Sequence, residues 1–269
     1  MAQTAWKFAQ TGANWTNSNN IAADDDAYAT VSLGAGAYSS PLIAKNFGFT
    51  TSDVPNGATI DGVEFRVRWR RLYGYGVGVH YASMRLSWGG SDGDSKAAQV
   101  TAISNSETSF VLGGVSDKWN VSVLSTADGD DEVRSAEFGL FFRIYNADAK
   151  YSLEVGIDSV ECRVSYTYTP PAPVVTNDSA SAVQGTGGTK QMSATNSPTS
   201  WSLTGSPPTG VSINSSGLVT WTGATPVGAH SIGVRATNAG GNGDGTLTLT
   251  ITAAATSRVS LLNALSRRR

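Results

Sequence analysis

Ile60-Asp-Gly-Val-Glu-Phe-Arg-Val-Arg-Trp-Arg-Arg-Leu72 decides the fold class. Val63, Phe65, Val67 and Trp69 fall on one side of an extended chain, and Glu64, Arg66, Arg68 and Arg70 on the other. Successive side chains of a strand point to opposite faces, so strict alternation predicts a strand with one face in a core and one toward water. The row Arg66, Arg68, Arg70 has two readings. It is a solvated face with carboxylate partners on the neighbouring strand, or a contact with an acidic neighbouring subunit.

Working outward, the same signature recurs. Strands are expected at residues 4–8, 28–33, 41–49, 84–88, 110–115, 119–124, 137–145 and 151–168, and a loop at 11–26, where Asn, Asp and Gly favour turns. Thirty glycines, a charged fraction of 15% and no long run at helical spacing point the same way. Roughly eight to ten short strands joined by Gly/Asp turns make an antiparallel β-sandwich or jelly roll over residues 1–169.

The pattern stops at Pro170, Pro171 and Pro173, which donate no backbone hydrogen bond and hold φ near −65°. Residues 170–173 therefore read as a stiff linker. Beyond it Ser, Thr, Gly and Ala dominate, and residues 171–269 carry 6 Lys/Arg and 2 Asp/Glu against 13 and 19 before them. Seven strand-like segments follow, at 174–176, 190–194, 199–203, 211–213, 217–221, 230–236 and 245–251. That number in so short a length predicts an immunoglobulin-like β-sandwich over 174–254. Residues 255–269 form a basic tail. Leu261, Leu262 and Leu265 make one apolar face of a short helix, with Arg267, Arg268 and Arg269 at its C-terminal dipole end. This tail is a second candidate protein interface, because so short a helix is marginal without a surface to dock on.

Chemistry is sparse. Cys162 is alone and sits among alternating apolar positions, so it reads as a buried small hydrophobe; neither a disulfide within the chain nor a thiolate metal site is expected. His80 and His230 have no second ligand at metal spacing, and no Gly-x-Ser-x-Gly elbow occurs. No catalytic residue, no cofactor and no enzymatic activity are expected. Tyr73-Gly-Tyr-Gly-Val-Gly-Val-His-Tyr81 is not a phosphate loop, because it lacks a following Lys-Ser/Thr and a helix. The runs Asp24-Asp25-Asp26 and Asp128-Gly-Asp-Asp-Glu132 have the oxygens calcium needs but not the spacing of a known calcium loop. They are expected to be solvated turns, with no metal bound. Trp15, Tyr28, Tyr38, Tyr73 and Tyr75 are expected to be exposed and to offer flat rings to a glycan.

Net charge is −2, so bulk electrostatics recruit neither nucleic acid nor an anionic membrane. No apolar run reaches the length of a membrane span, and the N-terminus lacks a secretory pattern, so a soluble protein made in a cytoplasm is expected.

Two resemblances add to this reading. Pro207-Pro-Thr-Gly-Val-Ser-Ile-Asn-Ser-Ser-Gly-Leu-Val219 and His230-Ser-Ile-Gly-Val-Arg-Ala-Thr-Asn-Ala-Gly240 resemble the hairpin and the "Val-x-Ala-Thr-Asn" strand of immunoglobulin-like, cadherin-related repeats of bacterial and phage surface proteins. The chain departs from that pattern at Trp221 and His230, and the calcium motifs of the cadherin-like modules are not evident. Phe47-Gly-Phe49, residues 54–65, Gly113-Gly-Val-Ser-Asp-Lys-Trp119, Phe138-Gly-Leu-Phe-Phe142 and residues 157–168 are similar to a module of tailed-bacteriophage virion proteins. Together they imply a non-enzymatic structural protein of the virion, decorating the capsid or built into the tail or its fibres. Its partners would be other virion proteins and copies of itself. A carbohydrate-binding adhesin that contacts host surface glycans is the alternative.

Overall fold

The computed structural model describes residues 1–74, 80–88, 91–100, 103–121 and 132–255, with side chains throughout except at 80–81, 87–88, 91–95, 97–100 and 132. The chain divides into two compact units, Met1–Tyr168 and Thr169–Arg269. Among the described residues no helix is long and apolar enough to cross a membrane.

In the first unit, β6 (Thr59–Gly74) and β11 (Leu153–Thr167) pair antiparallel and form the spine of one sheet. β9 (Thr108–Gly113) flanks β6. The other edge of β11 carries β1 (Ala2–Gln3), β2 (Lys7–Phe8) and β4 (Ala29–Leu33). The second sheet runs β3 (Thr11–Ala13), β5 (Leu42–Lys45), β10 (Gly139–Tyr145), β7 (His80–Trp88), β8 (Ser91–Val100). Val63, Phe65, Val67 and Trp69 all point into the core, as their alternation predicts. They meet the other sheet through rings: Phe65 stacks on Phe138 at 6.3 Å and Trp69 lies edge-on to Phe142 at 6.1 Å. Each aromatic side chain buried this way contributes about 1.5–3 kcal/mol, which closes the two sheets into a sandwich.

β11 contains a slip of phase. Its inward positions are Leu153, Val155 and Ile157 before the slip, and Val160, Cys162 and Val164 after it. The pairing with β6 shifts between Ile157 and Ser159, so Asp158 is the extra residue of a β-bulge. Two local expectations change. The segment 11–26 is not only loop: it holds β3 and a 3-10 turn, Ser18–Ile21, whose Ile21 is buried. Trp119 does not start a strand. It and Asn120 have positive φ, 54° and 56°, and the indole N–H turns inward to donate to Val63 O at 2.9 Å.

The second unit is an immunoglobulin-like sandwich. One sheet holds β12 (Asp178–Val183), β18 (Gly241–Thr252), β17 (Gly228–Asn238) and β14 (Ser200–Thr204), with β12 parallel to β18. The other holds β13 (Gly188–Gln191), β16 (Leu218–Trp221) and β15 (Val211–Ile213). Ile232, Val234, Leu247 and Leu249 face Val219, Trp221 and Met192 across its core. In the hairpin motif, Asn214 Oδ1 accepts from the amides of Ser216 and Leu218. Gly217, at φ 85°, lies under Trp201, where a Cβ would come within 2.8 Å of the indole.

The proline run departs from the linker expectation. Asn238 Nδ2 donates to Pro171 O at 2.9 Å and to Asn196 O at 2.7 Å, and Pro173 is buried. A Cβ on Gly243 would stand 1.8 Å from Pro173 O. Residues 170–173 are therefore packed onto the second unit as its first segment. The predicted strand at 174–176 shrinks to one bridge, Val175 to Ala194, and the true first strand is β12. Pro171 O and Ala172 O accept from side-chain amides, of Asn238 and Asn196, and the prolines have no N–H to give a ladder, so no regular strand begins there.

Candidate functional site

The outer face of the β6–β11 sheet carries ions. Arg66 makes a bidentate pair with Glu161, its neighbour across the strands, with Nε to Oε2 at 2.6 Å. Arg163 does the same with Glu64, at 2.7 and 3.1 Å. The Trp6 indole lies between these two pairs, 4.6 Å from the Arg66 guanidinium and 4.5 Å from that of Arg163. Gln3 adds a donor to Glu64 at 2.7 Å. Glu161 is only 3% exposed. The hydrogen bond and charge of Glu161 outweigh partial burial and raise the Arg66 pKa above its ordinary value.

The arginine row is therefore engaged within the chain. Arg68 stands 3.1 Å from Asp24 and 3.8 Å from Glu161, and Arg70 lies over the Tyr28 ring. Carboxylates and rings of this chain occupy the place that a neighbouring subunit's carboxylates would take. The N-terminal segment covers the sheet and makes half-buried a face that alternation alone assigns to water.

The five aromatics expected to be exposed part ways. Trp15 is 7% exposed; its ring packs against Phe142 at 6.1 Å and its N–H donates to Ser40 O. It is a core residue, because the loop carrying it is tied at Thr16 to Thr30 of β4 and turns the ring inward. Tyr28 is half-buried under Arg70. Tyr38, 65% exposed, lies tilted against Tyr145, its partner in an isolated bridge at the end of β10, with centroids 4.5 Å apart. Tyr73 is 71% exposed and lines a groove of about 480 Å³ at the end of β6. The groove is walled by Arg71, Leu72 and Gly74 on one strand and by Asn105, Tyr151 and Ser152 on adjoining segments. Tyr151, 41% exposed, and Asn105 carry no periodic signal and were not legible in the sequence. Tyr75 lies outside the described residues, as do Asp128–Asp131, the Glu132 side chain, Leu261, Leu262, Leu265, Arg267, Arg268 and Arg269.

The run at Asp24 is not a simple solvated turn. It closes onto Asp158, the bulged residue of β11, and the Asp25 amide donates to Asp158 Oδ1 at 3.3 Å. Glu107 joins from the loop before β9. Burial first, then the adjacent Asp24 and the charge of Glu107, push the Asp158 carboxyl up to about 7, against the pull of the Asp25 amide. Burial likewise pushes the Cys162 thiol well up, in keeping with an inert core residue. His230 sits against Pro226 O at 2.8 Å.

No family model matches the chain, and no curated protein matches it. Among solved structures it is similar to the Ig-like domain of human leucine-rich repeat-containing protein 4, at 14% identity over 35% of this chain and 98% of that one, with a TM-score of 0.25. It is also similar to a SusE-like surface-located polysaccharide-binding protein from Bacteroides thetaiotaomicron, at 17% identity over 35% of this chain and 21% of that one (TM-score 0.25). A third is a beta-1,2-glucanase from Parabacteroides distasonis, at 10% identity over 94% of this chain and 37% of that one (TM-score 0.31). At these scores the likenesses assign no function, and the fold rests on the strand order described above.

Proposed function

We propose that the protein is a non-enzymatic binding protein that holds a saccharide in the groove between Tyr73 and Tyr151. The observation that carries this is the pair of exposed tyrosine rings in one open groove with Arg71, Asn105 and Ser152. Flat rings pack on the apolar C–H faces of sugars, and guanidinium, amide and hydroxyl groups meet their hydroxyls. A glycan array identifies the ligand, and calorimetry with Tyr73→Ala and Tyr151→Ala tests the site. The expected result is a weakening of at least tenfold in each variant. No glycan bound, or binding indifferent to both changes, overturns the proposal.

The setting we infer is a tailed-phage particle, as a capsid decoration or a part of the tail or fibre, among other virion proteins and further copies of this chain. The motifs of the first unit quoted above support it. Labelled antibody imaged on purified particles tests it, and particles without label overturn it.

A further inference from the structure

Asp24, Glu107 and Asp158 are far apart in the sequence and meet on the outer face of the β6–β11 sheet. One carboxylate oxygen of each lies within 4.8 Å of those of the other two. Calcium holds its oxygens at about 2.4 Å, so two ligands facing each other across the ion stand about 4.8 Å apart. A single ion can therefore touch all three.

Asp158 distinguishes this place from an ordinary acidic patch. It is fully buried, at the bulge of β11. Its Oδ1 accepts from the Asp25 amide, while Oδ2 has no hydrogen-bond donor, which leaves Oδ2 as the oxygen it can offer to the cluster. A buried carboxylate oxygen with neither donor nor cation is costly. Among the described residues no cation meets that need: the side chain facing Asp158 is another carboxyl, Asp24. Arg66 is engaged with Glu161, Arg70 lies over the Tyr28 ring with its Nε unpartnered, and Arg68 Nε stands near Asp24 without hydrogen-bond alignment. The Tyr28 hydroxyl is within reach of Asp26 at 2.9 Å and Glu107 at 3.3 Å.

We infer that Asp24, Glu107 and Asp158 bind a calcium ion. The donors are all oxygen, which selects hard cations over zinc. They come from a loop, a second loop and a bulge, an irregular set that suits the flexible coordination of calcium better than the strict octahedron of magnesium. Asp24 is exposed and Glu107 half-buried, so water can complete the shell. The ion would tie the 22–28 segment and the 103–107 loop to β11. The acidic runs visible in the sequence are contiguous, whereas this set is gathered from three segments and runs against the expectation of no metal. The inference does not rest on the saccharide reading, although Asn105 of the groove is two residues from Glu107.

The test uses the full chain, stripped with chelator and titrated with calcium chloride at pH 8, read by calorimetry and by melting temperature. The expected result is saturable binding with a rise of several degrees in the melting transition of the first unit, and magnesium at least tenfold weaker. Asp158→Asn and Glu107→Gln should each weaken calcium at least tenfold. Glu107→Gln lies on the rim and keeps the test open if Asp158→Asn fails to fold. No heat and no shift at 10 mM calcium, or an undiminished response in Glu107→Gln, overturns the site. Magnesium binding as tightly as calcium overturns the choice of ion.

Discussion

The two sandwiches solve the same problem with different materials. The first packs its core with rings, Phe47, Phe65, Trp119 and Phe138 among them, and pairs ions across the outside of one sheet. The second has a mostly aliphatic core and leaves Ser and Thr on its outer faces. The difference follows from coverage. The first unit lays its N-terminal segment and Trp6 over the sheet, so charges there are drawn out of water and must be matched. Among the described residues the second lays nothing comparable over its main sheet, and small hydroxyl side chains suffice. Both the groove and the carboxylate cluster accordingly belong to the first unit.

The comparison breaks first at the core. Phe65→Ala empties a site ringed by Phe47, Trp119 and Phe138, and should cost about 3–5 kcal/mol. In calorimetry one melting transition should fall by roughly 10 °C and the other stay in place. A single transition moving as a whole would show that the units do not fold separately.

Glu161→Ala comes next. It strands Arg66 beside a buried position, and should cost about 2–3 kcal/mol, less than a fully buried pair because Arg66 reaches solvent. Urea melts of the two proteins measure it; a change near zero would make the ion lattice ornamental. Asn238→Ala probes the second unit. It removes the donors to Pro171 and Asn196 and should cost about 1–3 kcal/mol. Amide exchange should quicken around residues 172–176, and unchanged exchange there would mean the proline run is held by packing alone.

The pH dependence is a smaller effect, measured in chelator. Between the ordinary carboxylate range near 4 and about 7, folded Asp158 keeps a proton that the unfolded chain has released. Folding then takes up a proton, so the first unit should lose stability as pH rises through that window and level off above it. Asp158→Asn should flatten this slope; an unchanged slope assigns it to other groups. The smallest effect is expected at Asp244→Ala. Asp244 pairs with Arg235 on exposed strands, and the hydrogen bond from Arg235 holds its carboxyl below the usual range. Exposed pairs are screened by water, so the melt should not move beyond its scatter.

Much of this was legible before the fold. Alternation from Val63 to Trp69 identified the buried face, the even positions around Cys162 placed it in the core, and the composition break near Pro170 marked two units. Even the bulge left a trace, since the apolar positions of β11 change from odd to even between Ile157 and Val160. Trp15 was misplaced because a ring in an Asn-rich loop reads as surface, and no local pattern says that the loop folds inward.

The sequence by itself determined where strands run and which of their faces is apolar, because pleating imposes a period of two on neighbouring residues. Only the tertiary structure decided what covers the polar faces: Trp6 between Arg66 and Arg163, the Pro171 carbonyl on Asn238, and the meeting of residues 24, 107 and 158. Those contacts join segments separated by many tens of residues, and their partners are set by strand order and register, which no local periodicity encodes.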